Sequence, residues 1–428
     1  MLRPGPLTRE QQLRSQRHWL HFNLLNGFSY MCLGETVIIL FAVKIDMPNV
    51  LIAMLGSMVY VGYLLLPLGK WVTARVGAAQ SQSIFWVLRN LAALLVSTAA
   101  PLFYFGQQNL AMAAVLLGAF GFYGFRGAGC VMANPLIGEI TTENERARML
   151  ANNSSAFQLT AFLALLMVSL ILNFNQSLWM LFCVILVGSV CGFTSSRVFA
   201  KIDESPAISD SARRPLLPEF IHLWRNSHYR SYLKAQCSYA ISTIIICPMG
   251  MLTLKRGCGV SDTGALLFML LQFAIGAVMS RFAARLVNYF GICRVIIIGY
   301  IMLLLQCFCW IFMPPAYCWQ LAAVPFFLAG FSSVAVGNAS AQYFLRSLPV
   351  RHQVAASIFS ALIHGAGAGF VGLMLASGTM KLAQMLTDSP EPYTLFRVYF
   401  VLAFVFLMAG GVYPVLHIKR FVGEPRNR

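Results

Sequence analysis

The chain has 428 residues, 58% of them hydrophobic and 11% charged, with 31 Lys and Arg against 14 Asp and Glu. A soluble domain carries about 25% charged residues, so this composition, with a mean hydropathy of +0.71, excludes a soluble enzyme or binding module and describes a polytopic membrane protein. The formal net charge of +17 does not indicate nucleic acid, because the basic residues recur in short connections between apolar runs.

The chain opens on a polar stretch, MLRPGPLTREQQLRSQRHW, and no small-residue cleavage site follows the first apolar run. That run is read as a retained span rather than a signal peptide. Twelve apolar segments follow in order, at 19–43, 50–68, 83–105, 109–133, 151–173, 177–196, 231–254, 264–283, 292–313, 319–344, 353–378 and 394–416. Each is long enough to cross about 30 Å of hydrocarbon as a helix, and none shows the alternating polarity of a barrel strand.

Charge sets the expected orientation. The N-terminal tail, the even-numbered connections and the C-terminal tail hold 23 Lys and Arg, and the odd-numbered connections hold five. By the positive-inside rule both termini face the cytoplasm, and a cell membrane, the inner membrane of a bacterium, is the expected location. The predicted layout is a cytoplasmic tail over 1–18, a six-helix bundle over 19–196, a central linker over 197–230, a second six-helix bundle over 231–416 and a tail over 417–428. KIDESPAISDSARRPLLP reads as polar linker. EFIHLWRNSHYRSY, after Pro218, reads as an interfacial helix.

A weak internal repeat supports two halves. At an offset of 205, Arg146 falls on Arg351, Asn152 on Ser357 and Ser155 on Ser360. Arg75 and Gly77 after the second segment match the turn at Gly291 after the eighth. Parallel six-span repeats place a binding site near mid-membrane.

Few residues in the spans can carry chemistry. Glu35 is the one acid inside an apolar segment, the other 13 falling in connections or tails. A carboxylate in hydrocarbon is costly and marks a functional site, so Glu35 is a candidate for proton coupling, with a helix–helix hydrogen bond as the competing role. His364 is the second candidate: it ends the stripe Gln353, Ser357, Ser360, His364, whose spacing of 4, 3 and 4 keeps one helix face. Arg126, in the fourth segment, could bind an anionic solute group or pair with Glu35. Arg89 and Lys234 are expected to snorkel to the inner interface. Asn26, Tyr30, Gln236, Tyr239, Asn338, Gln342, Ser357 and Ser360 supply amides, phenols and hydroxyls that suit a sugar-like solute, or else bond neighbouring helices. The eleven cysteines form no CxxC pair or zinc spacing and read as small buried residues. The sequence contains no phosphate loop, nucleophile elbow or metal-ligand cluster, so neither an enzyme nor a cofactor is expected, and active transport would run on a gradient.

Twelve spans, cytoplasmic ends, a long central connection and a 6+6 repeat resemble the major facilitator superfamily over nearly the whole chain. The family's loop motif, roughly G-x-x-x-D-[RK]-x-G-[RK]-[RK], is degenerate here. Arg75 and Gly77 match, but Ala74 stands at the acidic position and Ala78 and Ala79 at the basic pair. Around Gly291, Asn288 takes the acidic position and Tyr289 the basic one. The glycine-proline motif of drug antiporters is absent from NNSSAFQLTAFLALL in the fifth segment. The resemblance implies an all-α fold and alternating access around a cavity lined by the first, fourth, seventh and tenth spans. It makes Arg75, Gly77, Asn288 and Gly291 gating-loop candidates. It also implies a monomer that moves a small organic solute, sugar-like or anionic, with a proton as coupling ion. The alternatives are a transport-inactive sensor or lipid-interacting protein of the same fold, and a drug or metabolite efflux antiporter.

Overall fold

The computed structural model describes residues 2–174, 177–314, 317–387 and 392–421. Among the described residues there is no strand, and twelve helices are long and apolar enough to cross a membrane: Arg9–Lys44, Met54–Val76, Ala78–Tyr104, Gln108–Ile140, Glu143–Phe174, Leu178–Phe199, Ser227–Gly257, Leu267–Phe290, Ile292–Phe312, Trp319–Ser347, Arg351–Leu386 and Tyr393–Leu416. All-helical spanning follows from the solvent, since a backbone N–H in hydrocarbon must find its carbonyl within the segment. Of the cysteines, Cys32, Cys293 and Cys307 are buried, whereas Cys130 and Cys183 are exposed on apolar helices, so expected burial holds only for part of the set.

The chain forms two compact units, one of Met1–Phe220 with Leu348–Leu362, the other of Ile221–Ser347 with Ile363–Arg428. In the first unit, the opening helix is set by a capping box. The Thr8 hydroxyl accepts from Gln11 N–H at 3.4 Å, and Gln11 Oε1 accepts from Thr8 N–H at 2.9 Å. The α-helix runs over Arg9–Leu33, stops at Gly34, which is extended at ψ −172°, and restarts as Glu35–Lys44. The first span is therefore two helices in series. Cys32, Leu33, Phe41, Val96, Ala119 and Phe122 form part of the apolar core around this break. Small residues let the second and fourth spans touch backbone to backbone: a Cβ at Gly69 would stand 2.1 Å from the Ala128 carbonyl oxygen.

The stretch read as polar linker is built more firmly than its composition suggests. Pro206–Arg213 is helical with Ser205 as its cap, and Leu216–Arg225 is a second helix. Asp203 and Glu204 are buried. Buried charges need partners, and Asp203 has them: Arg3 Nε donates to Oδ1 at 2.8 Å, Arg14 donates to Oδ2, and the Ser15 hydroxyl accepts from the Asp203 N–H at 3.0 Å. Near the start of the eleventh span, His352 meets the Glu219 carboxylate, and the Ser211 hydroxyl donates to Arg351 O at 2.7 Å.

The second unit packs around large aromatics. Trp310 stacks on Phe400 at 5.8 Å, Tyr232 on Tyr343 at 5.8 Å, and the Tyr399 hydroxyl donates to Ile245 O at 2.9 Å. Asn226 caps the seventh span by accepting from the His228 and Tyr229 N–H groups. Wide π-helical turns occur at Thr253–Gly257, Ala361–Gly367 and Leu407–Gly411.

The tight turn between the second and third spans rests on Gly77, at φ +88° and ψ 170°, a region closed to residues with a Cβ. A Cβ there would also stand 2.5 Å from Glu204 Oε1. Gly77→Ala should lower stability by about 1–3 kcal/mol, seen as an earlier thermal unfolding midpoint in detergent. Gly337→Ala, where an added Cβ has nothing within 4 Å, should leave the midpoint in place.

Candidate solute-binding site

In the first unit two guanidiniums each contact one ring of a stacked aromatic pair. Arg89, on the third span, is fully buried and does not reach an interface, contrary to the snorkelling expectation. Its Nη1 donates to Asn26 Oδ1 at 2.9 Å and its Nη2 to Ser29 Oγ at 3.3 Å, while Trp86 Nε1 donates to the same Asn26 oxygen at 2.9 Å. Its Nε has no hydrogen-bond partner among the described residues. The guanidinium lies 4.8 Å from the Trp86 ring and 5.6 Å from that of Phe122. Phe122 stacks on Tyr30 at 6.4 Å. Arg126 lies 4.5 Å from the Tyr30 ring, with Nη1 donating to the Tyr30 hydroxyl at 3.2 Å. The result is a ladder of cation, ring, ring and cation.

The two cations differ in access. Arg89 is closed off, whereas Arg126 is half-buried. Among the described side chains no carboxylate lies within ion-pair distance of either. Glu35 is the first residue of the second half of the first span, and its side chain lies outside the described residues. Of the sequence-derived candidates, Tyr30 and Arg126 are brought together, and Asn26 is drawn under Arg89. Trp86 and Phe122 were not anticipated. The signal for Trp86 is a third span dense in polar and aromatic residues, SQSIFWVLRN; Phe122 lies on the fourth span.

The same unit holds a polar cavity of about 320 Å³ lined by Gln16, Arg17, Glu145, Arg148, Asn152 and Asn153, with Leu13, Leu20 and Met149. Arg9 engages Glu145 with a bond of 2.7 Å. The buried Asn153 Nδ2 has no hydrogen-bond partner among the described residues.

In the second unit Gln236 Nε2 donates to Ser340 Oγ, and the Tyr239 hydroxyl lies 3.1 Å from Ser332 Oγ. Asn338 and Gln342 are buried, and their Nδ2 and Nε2 atoms have no partner among the described residues. On the eleventh span, Gln353, Ser357 and Ser360 are buried and belong to the first unit. His364 lies in the π turn Ala361–Gly367 and belongs to the second. The four-residue stripe therefore does not run on one unbroken α-helical face, because the turn after Ser360 is wider than 3.6 residues.

The gating-loop candidates form paired turns. Gly291, at φ +83° and ψ 157°, repeats the conformation of Gly77. Arg75 folds over the Trp71 ring at 3.6 Å, and Asn288 is exposed. In the first unit the Glu204 carboxylate closes the turn, accepting from Ala78 N–H and, at 3.0 Å, Ala79 N–H at the start of the third span. In the second unit Cys293, two residues after the turn glycine, donates its thiol to Lys419 O at 3.5 Å. Burial pushes the Glu204 carboxyl up to about 7, against the two N–H groups, which favour the ionised form. Burial would also raise Asp203, but hydrogen bonds from Arg14 and Arg3 hold it below its ordinary value.

Residues 22–373 match the family model described as Major Facilitator Superfamily. Among curated proteins, none matches the chain by sequence. Solved structures of similar fold include a bacterial homologue of the iron transporter ferroportin in an outward-facing state, at 13% identity and TM-score 0.68, covering 95% of this chain and 99% of that one. FucP, a transporter in the outward conformation, is similar at 14% identity and TM-score 0.66, covering 93% and 99%. The xylose transporter XylE from E. coli is similar at 14% identity and TM-score 0.63, covering 98% and 99%.

Asn26→Ala removes one acceptor from two buried donors, Trp86 Nε1 and Arg89 Nη1, and should destabilise the protein by about 2–4 kcal/mol; the thermal midpoint in detergent measures it. The folded chain keeps a proton on Glu204 between its ordinary value of 4.5 and about 7. The unfolded chain has lost that proton, so the contribution of Glu204 to stability falls as pH rises through this window. The contribution of Asp203 has the opposite sign and is lost only below its ordinary value of 3.8. Unfolding midpoints of Glu204→Gln, measured from pH 4.5 to 7.5, should therefore fall less with rising pH than those of the wild type.

Proposed function

We propose that this chain, which belongs to the major facilitator superfamily, moves a small organic anion across the membrane by alternating access, coupled to protons through Glu35. The observation that carries the anionic reading is the cation ladder. Arg126 is half-buried within a span and is held by the neutral Tyr30, whose stacking partner Phe122 contacts Arg89. In a low-dielectric interior, two guanidiniums held by neutral groups favour a negative charge strongly. An anionic solute meeting the accessible member would supply it through charge-assisted hydrogen bonds. The cavity bearing Arg17 and Arg148, whose Glu145 is engaged by Arg9 and whose Asn153 amide has no partner among the described residues, supports the same sign of solute. The amides and phenols at Gln236, Tyr239, Asn338 and Gln342 would then read the solute's hydroxyl or carbonyl groups.

A cytoplasmic orientation of both termini fits the charge asymmetry. The proton link rests on the rarity of Glu35 in an apolar span.

Uptake by proteoliposomes should be measured over a panel of monocarboxylates, dicarboxylates, phosphate esters and neutral pentoses and hexoses. Anions should be carried and neutral sugars should not. Arg126→Gln should cut anion uptake at least tenfold, and Arg126→Lys should restore only part of it, since one ammonium lacks the planar fork. Transport of neutral sugars that is indifferent to Arg126→Gln would overturn the anionic reading. Glu35→Gln should abolish accumulation driven by a pH gradient while sparing downhill exchange; unchanged proton-driven accumulation would remove Glu35 from the coupling role.

A further inference from the structure

The second unit holds a cavity of about 440 Å³, bounded by the seventh, eleventh and twelfth spans, that the solute reading does not use. Its walls are apolar, from Leu233, Ile241, Ile245, Leu375, Phe406 and Leu407 among others. The hydroxyls that line it are already engaged. Ser238 Oγ donates to Gly411 O at 2.5 Å, and Ser242 Oγ donates to Ser238 O at 2.8 Å and lies 3.0 Å from the Tyr300 hydroxyl. Gly411 closes the π turn of the twelfth span and Ile363 lies in that of the eleventh, so both widened turns contribute to the wall. Such turns gather at functional sites.

What remains to be satisfied sits at one end. Arg230 and Lys234 line the cavity, are exposed, and fall four residues apart on one face of the seventh span. They stand roughly 5 and 10 Å along the helix from its first residue, Ser227, by the helical rise, the depth of a headgroup region. Neither makes an ion pair with a described residue. Trp224 joins them from the preceding helix, where Ile221 and Trp224 are exposed beside Arg225, the pattern of a segment lying in a membrane interface.

An apolar slot whose lining hydroxyls are already bonded, ending in two cations at headgroup depth without an ion-pair partner among the described residues, matches one chemistry. We propose that it is a binding site for an anionic phospholipid of the leaflet at the start of the seventh span, its acyl chain in the slot and its phosphate on Arg230 and Lys234. The site is independent of the Arg126 reading and stands or falls without it.

The test uses the full chain purified in mild detergent, with bound lipid counted by native mass spectrometry and thermal midpoints read as lipid is added back. Phosphatidylglycerol should stay bound and raise the midpoint, whereas phosphatidylcholine and oleate should do neither at equal concentration. Arg230→Gln with Lys234→Gln should weaken phosphatidylglycerol binding at least tenfold while leaving the size-exclusion profile of the lipid-free protein unchanged. Ile241→Trp fills the slot and keeps both charges, and should also lose the lipid. Equal binding of phosphatidylcholine, stabilisation by oleate alone, or undiminished phosphatidylglycerol binding in both variants would overturn the proposal.

Discussion

The first unit depends on how it keeps a full positive charge inside hydrocarbon. Arg89 has no exposed surface, and a guanidinium there must be met by acceptors in fixed places or the helix carrying it will not insert stably. Asn26 and Ser29 supply them from the first span, and Trp86 turns its own N–H to the same Asn26 oxygen. This sets the rotation of the first span against the third. Phe122, beneath the guanidinium, fixes the fourth. Tyr30 is then oriented by Phe122, and Arg126 by Tyr30. The accessible cation is thus placed by the inaccessible one through a chain of contacts.

The second unit shows a different economy. Among the described residues its aromatic core holds no buried guanidinium or ammonium, and one of its polar groups, the Ser238 hydroxyl, closes on the carbonyl of Gly411 in a π-helical turn. The two paired turns make the contrast plain. Gly77 and Gly291 share a backbone conformation that only glycine enters readily. Only the first leads into a helix start closed by the Glu204 carboxylate, while Cys293, after the second, reaches the Lys419 carbonyl. The repeat conserves backbone geometry and lets the chemistry at the helix start differ.

Much of this was legible in the sequence, for reasons that can be named. Twelve spans follow from apolar run length, because hydrocarbon forces backbone pairing within the segment. The turn glycines follow from their place between two spans. Depth along a span is readable, but the direction a side chain faces is not. Arg89 lies near an end of its segment and so suggested snorkelling, yet its face is the one packed on Asn26. The His364 stripe assumed a constant 3.6-residue period, which the π turn from Ala361 interrupts. Asp203 and Glu204 sit in a stretch whose prolines and serines suggest solvent, and only three-dimensional pairing with Arg3, Arg14 and the third-span N-terminus explains their burial.

The break at Gly34 adds a mechanical property to this arrangement. A continuous helix transmits a displacement along its whole length as one rod. Two helices in series about an extended residue act as separate levers with a shared fulcrum. Tyr30, which steadies Arg126, is on the last turn of one lever, and Glu35 is the first residue of the other. Tilting of the second segment therefore alters the spacing between the phenol that steadies the accessible cation and Glu35, while Asn26 and Ser29, which hold Arg89, stay on the first.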